Sequence, residues 1–152
     1  MIYSENDIEF MKCALQQAKK AYLLGEVPVG AVIVKDNKII SVGHNRRETD
    51  NNALSHAETE AIYSACKALG TWRLNDCSMY VTLEPCPMCA GAIINARLKA
   101  VYYGASDENA GALGSVINMF DMPFSHRPHI YKGLFIDECS KILSDFFTKV
   151  RK

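Results

Sequence analysis

The sequence predicts an α/β protein in three layers, α/β/α, with one mixed five-stranded sheet between helices on both faces. Two observations carry this reading. Five β-rich segments alternate with stretches whose apolar residues recur at the three-and-four spacing of amphipathic helices. The chain is 152 residues long, 49% hydrophobic and 22% charged, which is enough to bury the core of one ordinary domain. No repeat, low-complexity stretch or linker interrupts it, so a single domain over residues 1–152 is expected.

In order, residues 4–24 place Ile8, Met11, Leu15, Ala18 and Tyr22 on one helical face, with Ser4 as N-cap and Gly25 as stop. Residues 29–34 and 39–43 flank "KDNK" and predict a hairpin turning at Asp36-Asn37. A helix follows over 56–69, stopped by Gly70, then a strand over 78–83 bounded by Pro85. Residues 86–97 predict a helix, because Pro85 and Pro87 are tolerated at a helix start. Residues 99–106 predict a strand, 115–120 a short helix, 129–135 a fifth strand, and 137 onward a helix running into "TKVRK". Open sheets of this type bind ligands at the carboxyl ends of strands, where the next helices begin.

Composition narrows the function. No apolar run approaches the about 18 residues of a membrane span, and "MIYSENDIEF" carries acids where a signal peptide carries basic residues. A cytoplasmic protein with no membrane partner is expected. The 17 basic and 17 acidic side chains cancel, so a nucleic-acid partner has to be met by a local patch. Of six cysteines, Cys13, Cys66, Cys77 and Cys139 stand alone in apolar surroundings and read as reduced buried thiols.

Cys86 and Cys89 are different, because C-x₂-C is a metal-ligand spacing. Three residues apart at a helix start, both sulfurs reach one ion, and the positive helix end favours thiolate. His56, opening its own helix, is the third candidate ligand. A structural zinc site would need a fourth ligand from a second pair, and His44, His126, His129 and Cys77 are unpaired in the sequence. Three ligands leave one position open, as in catalytic zinc. Zinc lowers the pKa of its water from about 15.7 toward about 7. A carboxylate two residues from a ligand is then placed to carry the proton, which singles out Glu58. Read alone, Glu58 is only an acid in a first helical turn.

The pattern H-x-E followed by P-C-x-x-C is that of the zinc nucleobase deaminases. Beyond it, "GEVPVGAVIV" (25–34), "NR" (45–46), "MYVTLEPCPMCAGAI" (79–93), "GALGS" (111–115), "HR" (126–127) and "DECSKILSDFF" (137–147) resemble the bacterial tRNA-specific adenosine deaminases. This resemblance implies a cytidine-deaminase-like fold, one Zn²⁺ per chain, a homodimer, and a tRNA anticodon stem-loop as partner. It also implies conversion of adenosine to inosine at the wobble position, with Glu58 catalytic and His56, Cys86 and Cys89 on the metal. Asn45 would bond the flipped base, Val29 and Ala57 would line its pocket, and Asp107 would contact the RNA beside it. Phe146, Phe147, Lys149 and Arg151 would lie toward the stem and loop.

The chain departs from the family pattern at Asn52-Ala53-Leu54-Ser55, where Asp-Pro-Thr-Ala is usual, and at Asn109, where a basic residue is common. Two other readings share the motif: a deaminase of a free nucleobase, nucleoside or nucleotide, and a silent zinc-bearing subunit that helps a partner bind RNA. The tail also has two readings. Lys149, Arg151 and Lys152 either cap the negative end of a helix or form a phosphate patch beside stacking aromatics.

Overall fold

The computed structural model describes residues 3–150, so Arg151 and Lys152 lie outside the described residues. Helix α1 (Glu5–Leu23) opens on Ser4, whose hydroxyl accepts the Asp7 N–H while the Asp7 carboxylate accepts the Ser4 N–H, both at 3.1 Å. The reciprocal pair satisfies two otherwise orphaned donors. Strands β1 (Gly30–Lys35) and β2 (Lys38–His44) form the hairpin. Asp36 and Asn37 have φ of 51° and 60°, the left-handed pair whose twist suits a two-residue hairpin turn.

The remaining elements are α2 (Ala57–Leu69), β3 (Cys77–Leu83), α3 (Pro87–Asn95), β4 (Ala100–Ala105), β5 (His129–Lys132) and α4 (Ile136–Val150). The five strands form one sheet in the order β2-β1-β3-β4-β5. β1 is antiparallel to both neighbours, while β3, β4 and β5 run parallel. Only β1 is therefore reversed, and the carboxyl ends of the other four strands point to one edge. Helices α2 and α3 start at that edge.

Period-two alternation divides the core. Ala31 and Ile33 pack with Ala61 of α2 and Ile93 of α3, whereas Val32 and Val34 pack with Met11 of α1 and Cys139 of α4. Burying each branched side chain contributes roughly 1.5–3 kcal/mol. α2 sits directly on β2: a Cβ on Gly43 would lie 2.3 Å from the Ala57 carbonyl oxygen. That close approach sets the first turn of α2 against the sheet edge.

Two elements differ from the sequence expectation. The helix expected over 115–120 is only a 3₁₀ turn at Met119–Asp121, because Asn118 pairs with Leu113 in an antiparallel bridge and the Met119 N–H, which a helix would give to the Ser115 carbonyl, donates to the Ala112 carbonyl. Leu113 N–H and Ser115 N–H donate to the Glu84 carboxylate, and Val116 N–H donates to the Gly111 carbonyl. The strand expected over 129–135 ends at Lys132, since Gly133 and Phe135 adopt φ of 83° and 55° and turn the chain into α4. All six cysteines are free, with Cys77 and Cys139 buried. Cys13 and Cys66 are only half-buried, packed at the margins of the core, which corrects the expectation for those two.

Candidate metal centre and substrate pocket

The carboxyl-edge loops bring the H-x-E and C-x₂-C motifs together. His56 is the N-cap of α2 and Cys86 the N-cap of α3, both with extended backbone, and Cys89 lies one turn into α3. The His56 N–H donates to Thr59 Oγ1 at 3.1 Å, fixing the cap. His56 Nδ1 lies 3.7 Å from Cys86 Sγ and 3.5 Å from Cys89 Sγ. All three donor atoms fall within 4.8 Å of one another. Tetrahedral zinc, with Zn–S about 2.3 Å and Zn–N about 2.0–2.1 Å, separates N and S by about 3.5 Å. The trio fits such an ion, and it is the one group of metal-capable residues of this kind among the described residues.

The electrostatics agree with a metal-ready set. The Cys86 thiol is held down to about 4, first by its hydrogen bond with Cys89 and, against burial, by His56. Cys89 is pushed up by the same bond and by burial. The pair thus shares a proton that a cation would displace. Glu58 stands in the first turn of α2, 4% exposed. Burial pushes its carboxyl up to about 7, where it can take or give a proton at neutral pH.

Beside the trio is a cavity of about 200 Å³ lined by Val27, Val29, Asn45, Arg47, His56, Ala57, Glu58, Leu83, Cys86, Asp107 and Ala110. It is smaller than the roughly 300–1,000 Å³ of pockets for drug-sized ligands, a size that suits one base. Val29, Asn45, Ala57 and Asp107 therefore meet Glu58 in one pocket. Asn45 is anchored: its Nδ2 donates to the Val27 carbonyl at 3.2 Å and its Oδ1 accepts the Arg47 N–H at 3.1 Å. One amide proton and one lone pair remain free of these bonds.

The tail residues separate. Phe147 lines a groove that continues from the pocket with Val27, Leu83, Ser106, Asp107, Glu108, Asn109 and Leu143. Phe146 is 8% exposed and packs edge-on against Tyr22, with centroids 5.8 Å apart. A ring held in the α1–α4 seam has no free face for a base, so of the two phenylalanines only Phe147 is placed for stacking. The Lys149 ammonium lies 5.6 Å from the Tyr22 ring centroid. Of the histidines outside the trio, His126 Nε2 lies 2.7 Å from the Leu98 carbonyl oxygen, which ties it to the fold.

Sequence reasoning missed two buried carboxylates that hold the pocket loops. Glu26, 2% exposed, accepts the Glu48 N–H at 3.1 Å, the Thr49 N–H at 2.5 Å and the Thr49 hydroxyl at 2.6 Å. Glu84, also 2% exposed, does the same for residues 107–115. The only signal was an acid inside an apolar motif, "GEVPVG" or "TLEPC".

Burial by itself raises the Glu26 carboxyl, but the Thr49 and Glu48 donors outweigh it and the net direction is below the ordinary 4.5. A depressed folded pKa stabilises above the unfolded value of about 4.3 and is lost as pH falls through the folded value. Glu26→Gln is thus expected to cost about 1–3 kcal/mol at pH 7. It should also flatten the fall in urea midpoint between pH 5 and pH 3. Parallel midpoint curves for the two proteins would show that Glu26 carries no such linkage.

The chain is similar to known proteins along most of its length. The profile of the MafB19-like deaminase family matches residues 5–151. A tRNA-specific adenosine deaminase of Bacillus subtilis is 47% identical over 144 residues, spanning 94% of this chain and 89% of its own. A solved structure from work on A-to-I editing by tRNA:A34 deaminases at the wobble position of transfer RNA superposes with a TM-score of 0.86 at 45% identity, over 89% of this chain and 99% of that one. A guanine deaminase of Bacillus subtilis has a TM-score of 0.63 at 38% identity, over 95% and 93%. The chain belongs to the MafB19-like deaminase family and, within it, to the tRNA-specific adenosine deaminases.

Proposed function

We propose that this protein hydrolyses adenosine to inosine at the wobble position of a tRNA anticodon loop. One observation carries the reading most: a buried carboxylate, Glu58, stands beside a three-ligand His56/Cys86/Cys89 set in a base-sized pocket. Bound by those three residues, one Zn²⁺ per chain would supply Lewis-acid activation of water at neutral pH.

The chain's own residues do the rest. Val29 and Ala57 pack on the base, and Asn45 offers it the free parts of its amide. Glu58 accepts a proton from the attacking water and gives it to N1 of the ring, then carries the proton of the new C6 hydroxyl to the leaving nitrogen. Water adds at C6 and ammonia leaves. The α2 and α3 N-termini supply positive dipole ends near the developing negative charge.

A free-base deaminase is the competing reading, given the guanine deaminase likeness. The groove that runs from the pocket past Phe147 favours a substrate longer than one base. Incubation with total tRNA and, separately, with free nucleosides and guanine should yield inosine in tRNA alone. Release of ammonia from guanine or a nucleoside, with none from tRNA, would defeat the tRNA reading.

Lys149, and the Arg151 and Lys152 that follow it in the sequence, extend this proposal as phosphate-binding cations. Replacing all three with Ala should weaken stem-loop binding and lower the slope of log affinity against log salt by about 0.7–0.9 for each phosphate no longer neutralised. An unchanged slope would remove the tail from the RNA site.

The assembly we propose is a homodimer through the α2–α3 face. That face carries a groove lined by Ile62, Cys66, Ala92, Ala96 and the exposed Trp72. Sedimentation should give twice the chain mass. No helix of the described residues is long and apolar enough to cross a membrane, which is compatible with action on tRNA in the cytoplasm.

A further inference from the structure

We propose that Glu84 is a positioning residue for the reaction, a buried carboxylate that holds one wall of the substrate pocket in place. The kinetic part of this proposal rests on the tRNA reading above. Glu84 joins the last residue of β3 to Pro85-Cys86, and its own N–H donates to the Ala105 carbonyl at 2.8 Å. Its Oε1 accepts the Asp107 N–H at 3.0 Å and the Ser115 hydroxyl. Its Oε2 accepts the Leu113 and Ser115 N–H groups, both at 3.0 Å. A buried carboxylate demands such donors, and charge-assisted bonds of this type are the strong ones.

The loop is shaped to the carboxylate. A Cβ on Gly111 would lie 2.3 Å from Glu84 Cδ and 2.4 Å from Oε2, so the chain passes the carboxylate closely enough that only glycine fits. Gly111 N–H closes the turn on the Asp107 carbonyl at 2.8 Å, and Ala112 N–H donates to the Pro85 carbonyl at 2.9 Å. The Asp107 carboxylate in turn accepts the N–H groups of Asn109 and Ala110, at 3.0 and 3.2 Å. Asp107 and Ala110, which line the cavity, thus stand on a turn whose first amide is bonded to Glu84.

The metal ligand next door has independent support: Cys86 caps α3, with Ala90 N–H donating to its carbonyl at 2.9 Å. Disturbing Glu84 should therefore move the pocket wall and leave the ligand set in place. Such misplacement affects where substrate sits, and misplacements of about 1 Å can cost about 100-fold.

Glu84→Gln replaces one acceptor oxygen with an NH₂ that faces N–H donors. Gly111→Ala leaves the carboxylate untouched and pushes the loop off it from the other side. Both variants should keep one zinc per chain. Both should lower kcat/KM for an anticodon stem-loop about 10- to 100-fold, chiefly through KM, since this wall binds the substrate and supplies no reacting group. In hydrogen exchange, the Leu113 and Ser115 amides should lose at least about 10-fold protection while those of β3 stay protected. Ser115→Ala, which removes only the hydroxyl, should shift the same readouts in the same direction by less, and keeps the test open if a harsher variant does not fold.

Unchanged protection of Leu113 and Ser115 in Glu84→Gln overturns the proposal whatever the substrate. So does a fall in kcat at constant KM, or loss of zinc. Absence of inosine in tRNA treated with the wild-type protein would instead sink the tRNA reading, and the exchange data would still decide the role of Glu84.

Discussion

Glu58→Ala is expected to retain one zinc per chain and to lose turnover by about 10²–10⁴-fold, the usual contribution of a positioned general acid–base. The reason starts from position. Glu58 follows the N-cap His56 by two residues, so the first turn of α2 carries it into the pocket wall rather than into the ligand set. Its burial raises the carboxyl to about 7, so the group is neither a permanent anion nor a permanent acid near neutral pH. Removing it leaves His56, Cys86 and Cys89 unaltered. The variant should bind stem-loop RNA with nearly wild-type affinity, so the loss should fall on kcat. Metal analysis and single-turnover kinetics check this together. Zinc lost with the activity would make Glu58 a ligand and cancel its role as proton carrier.

Cys86→Ala is expected to do the opposite, releasing the metal and taking both activity and stability with it. Two protein ligands remain, which do not hold zinc in competition with a chelator. A metal present at a thousandfold excess over its Kd stabilises the fold by about 4 kcal/mol. At about 2–4 °C per kcal/mol for a chain of this size, the expected fall in Tm is about 8–16 °C. Chelation of the wild-type protein should reproduce that fall and leave the variant's Tm unchanged. Cys139→Ala is the control. Its sulfur packs against Gly104 beneath α4, remote from the trio, so zinc content should stay at one per chain. Zinc loss from the Cys139 variant would mean that the ligand set has been read wrongly.

The elements legible in the sequence were those whose signal is local. Apolar periodicity marked α1, α2 and α4, and Ser4, Gly25 and Gly70 marked their ends to within a residue or two. Asp36-Asn37 announced the hairpin because few residues other than glycine accept two successive left-handed conformations. The segment 115–120 departs from its helical pattern because Asn118 pairs with Leu113 and the Met119 N–H goes to the Ala112 carbonyl. The loop that offers those partners is held by a carboxylate more than twenty residues earlier in the chain, and no spacing rule encodes such a partner. The fifth strand is shorter than its sequence suggests because Gly133 and Phe135 both turn left-handed; glycine accepts that readily, whereas Phe135 does so against its residue type.

The same division holds for the site. Spacing pointed to a metal site: H-x-E and P-C-x-x-C put a histidine, a carboxylate and two thiols at two helix starts, because one helical turn brings residues three apart onto one face. Spacing could not decide that those two starts meet, or what stands around them. That followed from strand direction. With only β1 reversed in the sheet, the chain after β2, β3 and β4 emerges at one edge. There the loops carrying Asn45, Cys86 and Asp107 close on Glu58. Packing likewise decided between neighbours of like type, holding Phe146 in the α1–α4 seam and leaving Phe147 at the groove. The tertiary structure also gave Glu26 and Glu84 their partners, since a buried carboxylate is stable only where the fold aims enough donors at it.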